Sequence, residues 1–452
     1  MKYSKHMNKH MSNNRHTRKK YPIKNELFGN LIHKKEGWVS IHIYGEPYQR
    51  GFAHGVLLSN EMKQIVLAFP FIVESSFHVS FEKYLNTCNE KTKPVVMNDY
   101  PELYEEIRGI SNGFLSTGLE VSVDYIIAWN SLLSMYSYFR NNKAYKCSAF
   151  IATGNATHDG NIVMAHNTHA EFIIGQIQNI VIYVTPTRGT PFVMQSTPGY
   201  IASGTDWFIC SSGIIGCETT ISNINYIPEF GAPYFCRIRE AMQYGKTLDE
   251  YVEIMLKNNA GDYACSWQFG DINTNEIMLF EIGLKTHAIQ RTFNGVYYGM
   301  NSAIDFKVRS IETDDKDLYN LEKSSGARNF RLNQLLNETY YGKININNAK
   351  RVLSDHYDPF LHKHIMNSRT ICKHSENDPG KFTGKPYYPF GCTDGKVVDS
   401  YMAKKLSFIG RFGSCCGRVF KASSHIKKYP QYKNLKGVLQ DLPKKKWTTI
   451  SK

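Results

Sequence analysis

The stretch that most constrains this chain is Lys146–Gly154 followed by Asp159–His169: an apolar run, a polar turn, and a second apolar run. Gly154, Asn155, Thr157 and the Asp159-Gly160 pair fill the turn, the chemistry a tight connection between two strands requires. Cys147 opens the first strand, directly after Asn141-Asn142-Lys143-Ala144-Tyr145-Lys146. A free cysteine ordinarily packs as a small buried hydrophobe. At the head of a central strand, behind a loop that can be cut, it has a second use. Hydrolysis of the Lys146–Cys147 bond would leave a thiol and a free α-amine on one residue. That amine titrates near about 7.7–8.0 when unperturbed, so it can serve as general base for its own side chain.

Composition sets the frame. With 452 residues, 42% of them hydrophobic and 13% aromatic, the chain can bury a large core and is not disordered throughout. The formal net charge is +14. Much of it lies in residues 1–24, where Lys2, Lys5, Lys9, Arg15, Arg18, Lys19, Lys20 and Lys24 precede the first acid, Glu26. This segment reads as a disordered basic tail. The rest is only mildly basic, so specific nucleic-acid binding is not expected. The ten cysteines form no CxxC pair, so neither a zinc site nor any other metal or cofactor is expected. Asp355, His356 and Asp358 read as a structural loop. There is no apolar leader and no run of about 18 apolar residues. The expectation is a cytoplasmic or otherwise intracellular chain with reduced thiols and no transmembrane span.

In chain order, Gly37–Ile43 alternates as a short strand. Gly45–Gly55 reads as a glycine-punctuated turn leading into a helix near Val56–Phe69. Pro101–Phe114 places Leu103, Ile107, Ile110 and Phe114 on one helical face, and Asp124–Tyr138 continues as helix. Residues 25–146 are thus mainly helical. After Cys147, short apolar runs recur at Ser148–Thr153, Asn161–Ala165, Asn179–Thr185, Trp207–Cys210, Ile214–Cys217, Ser266–Phe269, Glu276–Ile282 and Val296–Met300, and read as strands. Helices are expected at Pro233–Tyr244, Leu248–Leu256 and Ala327–Leu336. From about Leu353 the chain is rich in loops. The pattern is α+β, in stacked layers.

Several blocks carry a family resemblance: Glu46-Pro47-Tyr48-Gln49-Arg50-Gly51 with His54-Gly55; Cys147-Ser148-Ala149-Phe150 with Ala165-His166-Asn167-Thr168; Glu218-Thr219-Thr220; Asn258–Trp267; Ser368–Cys372; and Asp394-Gly395-Lys396. Their order and spacing, over residues 40 to 447, resemble the acyltransferase and hydrolase family that includes isopenicillin N acyltransferase. That family belongs to the N-terminal nucleophile (Ntn) hydrolases and is related to the phospholipase B-like proteins. The resemblance implies a four-layer αββα sandwich, self-cleaved before Cys147 into 1–146 and 147–452. It departs at His169, where many relatives carry an aromatic or acidic residue, which bears on substrate preference.

The chemistry then calls for named partners. Asn301, ending the run Tyr297–Asn301, is the oxyanion candidate; the alternative is a turn or capping asparagine. His166 and Asn167 can orient the thiol or amine, or His166 can be a structural histidine. Arg328 and Arg331, one helical turn apart, can supply a cation that lowers the thiol pKa, or form surface ion pairs. Glu218, Thr219, Tyr263, Trp267 and His169 are candidate pocket residues. The expected substrate is a small acyl compound: a lipid, an amide or an acyl thioester. The two chains of the precursor are expected to stay associated. Three alternatives stay open: a phospholipase B-like lipid acyl hydrolase, an uncut Cys147–His166 hydrolase, and a non-cleaving relative that binds or scaffolds.

Overall fold

The computed structural model describes residues 26–139, 146–381 and 384–452. The basic tail and the loop 140–145 before Cys147 lie outside the described residues, as does the side chain of Lys146.

Two sheets organise the chain. The first has nine strands: β1 (Gly29–Lys35), β2 (Trp38–Gly45), β5 (Ile180–Pro186), β6 (Phe192–Ser196), β7 (Trp207–Cys210), β8 (Ile214–Thr220), β9 (Cys265–Asp271), β10 (Glu276–Ile282) and β11 (His287–Thr292), in that spatial order. The second has seven: β12 (Gly295–Gly299), β3 (Lys146–Gly154), β4 (Gly160–Glu171), β16 (Asp394–Asp399), β17 (Phe408–Phe412) and β18 (Thr448–Ile450), with β15 (Phe390–Cys392) also paired to β4. A short hairpin, β13 (Tyr357–Asp358) and β14 (Lys363–His364), stands apart.

Side-chain alternation sorts these sheets into layers. Ala149, Ile151, Ile162 and Met164 of the second sheet meet Val181, Tyr183, Trp207, Ile209, Ile215 and Cys217 of the first in one buried cluster. The opposite face of the first sheet, with Ile180, Ile182, Phe208 and Phe269, is covered by helices. The opposite face of the second sheet, with Phe150, Ala152, Val163 and Ala165, packs on Leu332, Leu335, Leu336 and Val352. The architecture is an αββα sandwich. The hairpin that Cys147 opens forms as expected: β3 and β4 pair antiparallel, with Cys147 opposite Thr168 and Ala149 opposite His166.

Before Cys147 the chain forms α1 (Pro47–Leu57), α2 (Ser59–Phe77), α3 (Phe81–Lys91), α4 (Lys93–Asp99), α5 (Pro101–Ser116), α6 (Val123–Asn130) and α7 (Leu132–Tyr138). It also supplies β1 and β2, and β2 runs parallel to β5 over seven residue pairs. The segments on either side of Lys146 therefore share one sheet.

One expectation is corrected here. Gly45–Gly55 is not a turn: from Pro47 it is helix α1, opened by a reciprocal capping box between Glu46 and Gln49. Its glycines serve a crossing with α5. A Cβ on Gly51 would lie 2.0 Å from the Glu106 carbonyl oxygen, and one on Gly55 would lie 2.3 Å from that of Ile110. Gly109 and Gly113 of α5 approach Tyr48 and Phe52 as closely. Arg50 closes the crossing, donating from Nε to Glu106 at 2.6 Å and from Nη2 to Glu102 at 2.9 Å. Among the described residues no single helix is long and apolar enough to cross a membrane.

Candidate functional site

Cys147 heads β3 and is 2% exposed. Its backbone N–H donates to Asn301 Oδ1 at 3.1 Å. Asn301 follows β12, which pairs with β3, and it takes a left-handed backbone (φ +82°) that Asn tolerates better than most residues. Its amide is oriented by three neighbours: Oδ1 accepts from Cys147 N–H and from Arg328 Nη2 (2.9 Å), while Nδ2 donates to the Thr220 carbonyl (3.0 Å). Two donors on one side and an acceptor on the other fix which end is oxygen. Asn301 thus holds the nitrogen that cleavage would turn into the α-amine. The donor that an oxyanion role needs is engaged with Thr220.

Arg328, on helix Ser324–Gln334, is fully buried. Nη1 donates to the Cys147 carbonyl at 2.5 Å and to Ser148 Oγ at 3.1 Å, Nη2 reaches the Met300 carbonyl at 2.7 Å, and Nε bonds the Ser324 carbonyl. None of these partners is a carboxylate. Burial lowers the guanidinium pKa to about 9, opposed by the Cys147 thiol, so Arg328 remains a cation at neutral pH. Arg331 turns away from Cys147: it pairs with Asp355 through two hydrogen bonds (3.0 and 2.8 Å) and stacks over Tyr357.

The thiol itself is held well above its ordinary pKa by burial and by the carboxyls of Glu218 and Asp206; Lys396 and the His169 backbone N–H act in the opposite sense. Glu218 and Asp206 hydrogen-bond to each other, and burial pushes both upward, Glu218 far more. Tyr263 donates to Glu218 at 2.8 Å and to Asp206 at 3.2 Å, and Tyr234 also bonds Asp206. Lys396, fully buried on β16, donates to Asp394 at 2.7 Å and to Thr168, opposite Cys147, at 3.0 Å. Sequence reading missed Asp206, which sits in a Gly-Thr-Asp turn with no local mark of burial, and gave Lys396 no role.

The remaining candidates divide. Asn167 accepts from Ser148 N–H at 3.0 Å and donates to the Leu353 and Ile371 carbonyls, so it positions the residue after Cys147 from the outer face of the sheet. His166 faces the inter-sheet core with both ring nitrogens unpartnered, kept neutral by burial and by Lys396. It makes no hydrogen bond to Cys147 in this structure. The His169 ring lies on the outer face and donates to the Ile371 carbonyl; only its backbone reaches the thiol. Trp267 stacks on Phe269 in the helix-facing core (4.9 Å, 6°), and Thr219 is fully buried. His169, Trp267, Thr219 and Glu218 are not among the residues that bound the cleft beside Asn301. Tyr263 is.

That cleft, of about 250 Å³, is bounded by Leu133, Tyr136, Thr220, Ile221, Ser222, Ile224, Tyr226, Tyr263 and Ala264. Asn301 ties it to Cys147: its Nδ2 bonds Thr220, its carbonyl accepts from Ser222 N–H, and its Oδ1 accepts from the Cys147 N–H. The arrangement can present a thiol, an aligned nitrogen and a buried cation beside a space large enough for a short acyl group.

Comparison with known proteins agrees with this region. A family model described as Phospholipase B matches residues 106–289. Putative phospholipase B-like 2 of Rattus norvegicus is 28% identical over 146 residues, covering 28% of this chain and 24% of that one. An uncharacterized protein of Archaeoglobus fulgidus is 24% identical over 242 residues (49% and 39%), and protein dcd1B of Dictyostelium discoideum 23% over 256 (54% and 50%). The chain spans half or less of the length of these curated relatives. Among solved structures, conjugated bile acid hydrolase from Clostridium perfringens aligns over 59% of this chain and 89% of its own at 10% identity and a TM-score of 0.35. Penicillin V acylase from Agrobacterium tumefaciens aligns over 58% and 82% at 13% identity and a TM-score of 0.34. The chain resembles the phospholipase B-like proteins, as its sequence blocks imply.

Proposed function

We propose that this chain is an Ntn-type cysteine hydrolase or acyltransferase that cleaves itself between Lys146 and Cys147. The observation that carries the reading is the triangle Cys147–Asn301–Arg328: the backbone nitrogen at the head of a strand is held by a side-chain amide, and that amide by a buried cation with no carboxylate partner.

In the precursor, Cys147 Sγ attacks the Lys146 carbonyl carbon. The S–C bond forms, the Lys146–Cys147 C–N bond breaks, and the thiol proton passes to the departing nitrogen. Water then hydrolyses the thioester, leaving a Lys146 carboxylate and a free α-amine on Cys147. In each later turnover the amine takes the thiol proton, the thiolate attacks an ester or amide carbonyl, and the leaving group departs with a proton. Water or a second acceptor resolves the thioester. Asn301 Oδ1 keeps the amine aligned, and Arg328 is the counter-charge for the thiolate. Asn301 Nδ2 is the oxyanion donor in this scheme, released from Thr220 as the cleft fills. Tyr263, Tyr136 and Ile221 would seat the acyl group.

A second reading, a phospholipase B-like lipid acyl hydrolase, is favoured by the family match over residues 106–289, which include every residue bounding the cleft except Asp314. One experiment tests both. The processed protein is mixed with a panel of short-chain amides, thioesters, lysophospholipids and diacyl phospholipids, quenched in acid, and weighed. An added acyl mass on the 147–452 fragment, removable by hydroxylamine, is the expected result, and the substrate that gives it chooses between the readings. No adduct with any member, from protein shown to be cut, counts against a thioester enzyme.

A further inference from the structure

Outside the nucleophile region, four metal-ligating side chains converge in the loop-rich C-terminal segment. A ring nitrogen of His356, Cys372 Sγ, a ring nitrogen of His374 and Cys416 Sγ all lie within 4.8 Å of one another. Cys372 and His374 are buried, and His356 and Cys416 are half-buried. The nearer pairs are Cys372 Sγ to His374 Nε2 at 3.5 Å and Cys416 Sγ to His374 Nε2 at 3.4 Å. A tetrahedral zinc with Zn–S about 2.3 Å and Zn–N about 2.05 Å has S–N edges of about 3.6 Å. The two observed sulfur–nitrogen separations match that edge, and the remaining pairs lie within 4.8 Å.

Two further observations point to a ligand. His356 Nε2 is buried with no hydrogen-bond partner. His374 donates Nδ1–H to Glu376 Oε1 at 2.8 Å, which fixes the tautomer and leaves the Nε2 lone pair facing both sulfurs. A carboxylate behind a histidine, with the far nitrogen aimed at soft donors, is the usual outer support of a zinc ligand. The four residues come from three loops: before β13, before the turn at Ser375–Asn377, and after β17. Two thiolates and two imidazoles select zinc over hard cations such as Mg²⁺ or Ca²⁺, and four protein ligands leave no open position for catalysis.

We propose that His356, Cys372, His374 and Cys416 form a closed structural Zn²⁺ site. Binding releases two thiol protons, so the occupied centre is neutral. The metal pins together three loops that lack a sheet of their own. It also fixes the segment around Ile371, whose carbonyl accepts from Asn167 Nδ2 and His169 Nε2. Through Asn167, that segment holds Ser148, next to the nucleophile.

The test uses the full chain expressed with added zinc and purified without chelator. Elemental analysis is expected to give about one zinc per chain. Cobalt in its place should show thiolate-to-metal charge transfer and the intense visible bands of tetrahedral Co²⁺. Cys416→Ser and His374→Ala should lose the metal, Glu376→Gln should weaken zinc affinity about 10–100-fold, and Cys392→Ala, a neighbouring thiol outside the tetrad, should keep it. The wild-type result stands even where a variant fails to fold. A wild-type chain that takes up no zinc from a Zn²⁺ titration, stoichiometric zinc that survives loss of Cys416 and His374, or a mapped disulfide using Cys372 or Cys416 would each overturn the assignment.

Discussion

Replacing Arg328 tests whether the buried cation sets the reactivity of Cys147. Burial has already driven its pKa from 12.5 to about 9, a differential of roughly 5 kcal/mol at about 1.4 kcal/mol per unit. A thiolate at Cys147 offsets part of that cost. For a separation on the order of 6 Å, the outer end of the range over which an opposite charge shifts a pKa, an effective dielectric of about 20 gives an interaction of roughly 3 kcal/mol. That is about two pKa units, or roughly a hundredfold in thiolate at a pH below the thiol pKa. The sign is fixed: removing the cation destabilises the thiolate, so the thiol pKa rises and the acid limb of the rate profile moves to higher pH. The assay is the pH dependence of iodoacetamide alkylation of processed enzyme, in wild type, Arg328→Gln and Arg328→Lys. Arg328→Gln should shift the limb by about two units upward, while Arg328→Lys, which keeps the charge and loses the fork, should shift it far less. Arg328→Gln leaves the Cys147 and Met300 carbonyls without their donors, at about 1–3 kcal/mol each, offset by relief of the buried charge. Equal shifts in the two variants, or no shift in a folded Arg328→Gln, would refute the argument.

Three other outcomes follow from the fold. Gly51→Ala places a methyl 2.0 Å from the Glu106 carbonyl oxygen and should cost about 3 kcal/mol in urea unfolding; a neutral effect would mean the α1–α5 crossing is looser than described. His54 accepts from Gly199 N–H at 2.8 Å, and burial, opposed by Glu106, lowers its pKa from 6.5 to about 4. The unfolded chain therefore binds the proton first, and about 3 kcal/mol of stability is lost as pH falls from 6.5 towards 4; His54→Gln should flatten that slope in unfolding titrations at pH 7 and 4.5. Glu218 is displaced upward by burial and by Asp206, so the folded chain holds the proton that the unfolded chain releases, and stability falls as pH rises above the usual carboxyl range. Glu218→Gln should gain on wild type in melting temperature between pH 5 and 8, and a constant difference would count against the buried acid pair.

What could be read from the sequence depended on how local the determinant was. The Cys147 hairpin is set by turn residues lying between its own strands, and the run Glu276–Ile282 forms a strand with the expected ends. The helix Leu248–Leu256 likewise follows its own apolar spacing and the Thr247 cap. The Gly45–Gly55 segment misled because its glycines answer to α5, some 55 residues on, rather than to their own backbone. Strand β16 carries Asp394 and Lys396, known from the sequence only as part of a resembling block, and their burial against Thr168 and Gln195 comes from the fold. Asn301 was found for its position at a strand end, while the contact of its Oδ1 with the Cys147 N–H is revealed only by the fold. The Cys/His tetrad was invisible to spacing rules because its ligands come from three separate loops, with only Cys372 and His374 close in sequence.

The central claim is self-processing at Lys146–Cys147, and an intact mass under denaturing conditions tests it most directly. Purified wild type, incubated from mildly acidic to neutral pH, should give two fragments that meet at Lys146/Cys147. They should co-elute under native conditions, because β2 and β5 lie in one sheet across the cut. Cys147→Ala should give a single uncut chain. A single uncut wild-type chain that remains so under every condition would contradict the account and move weight to an internal catalytic cysteine or a non-catalytic relative.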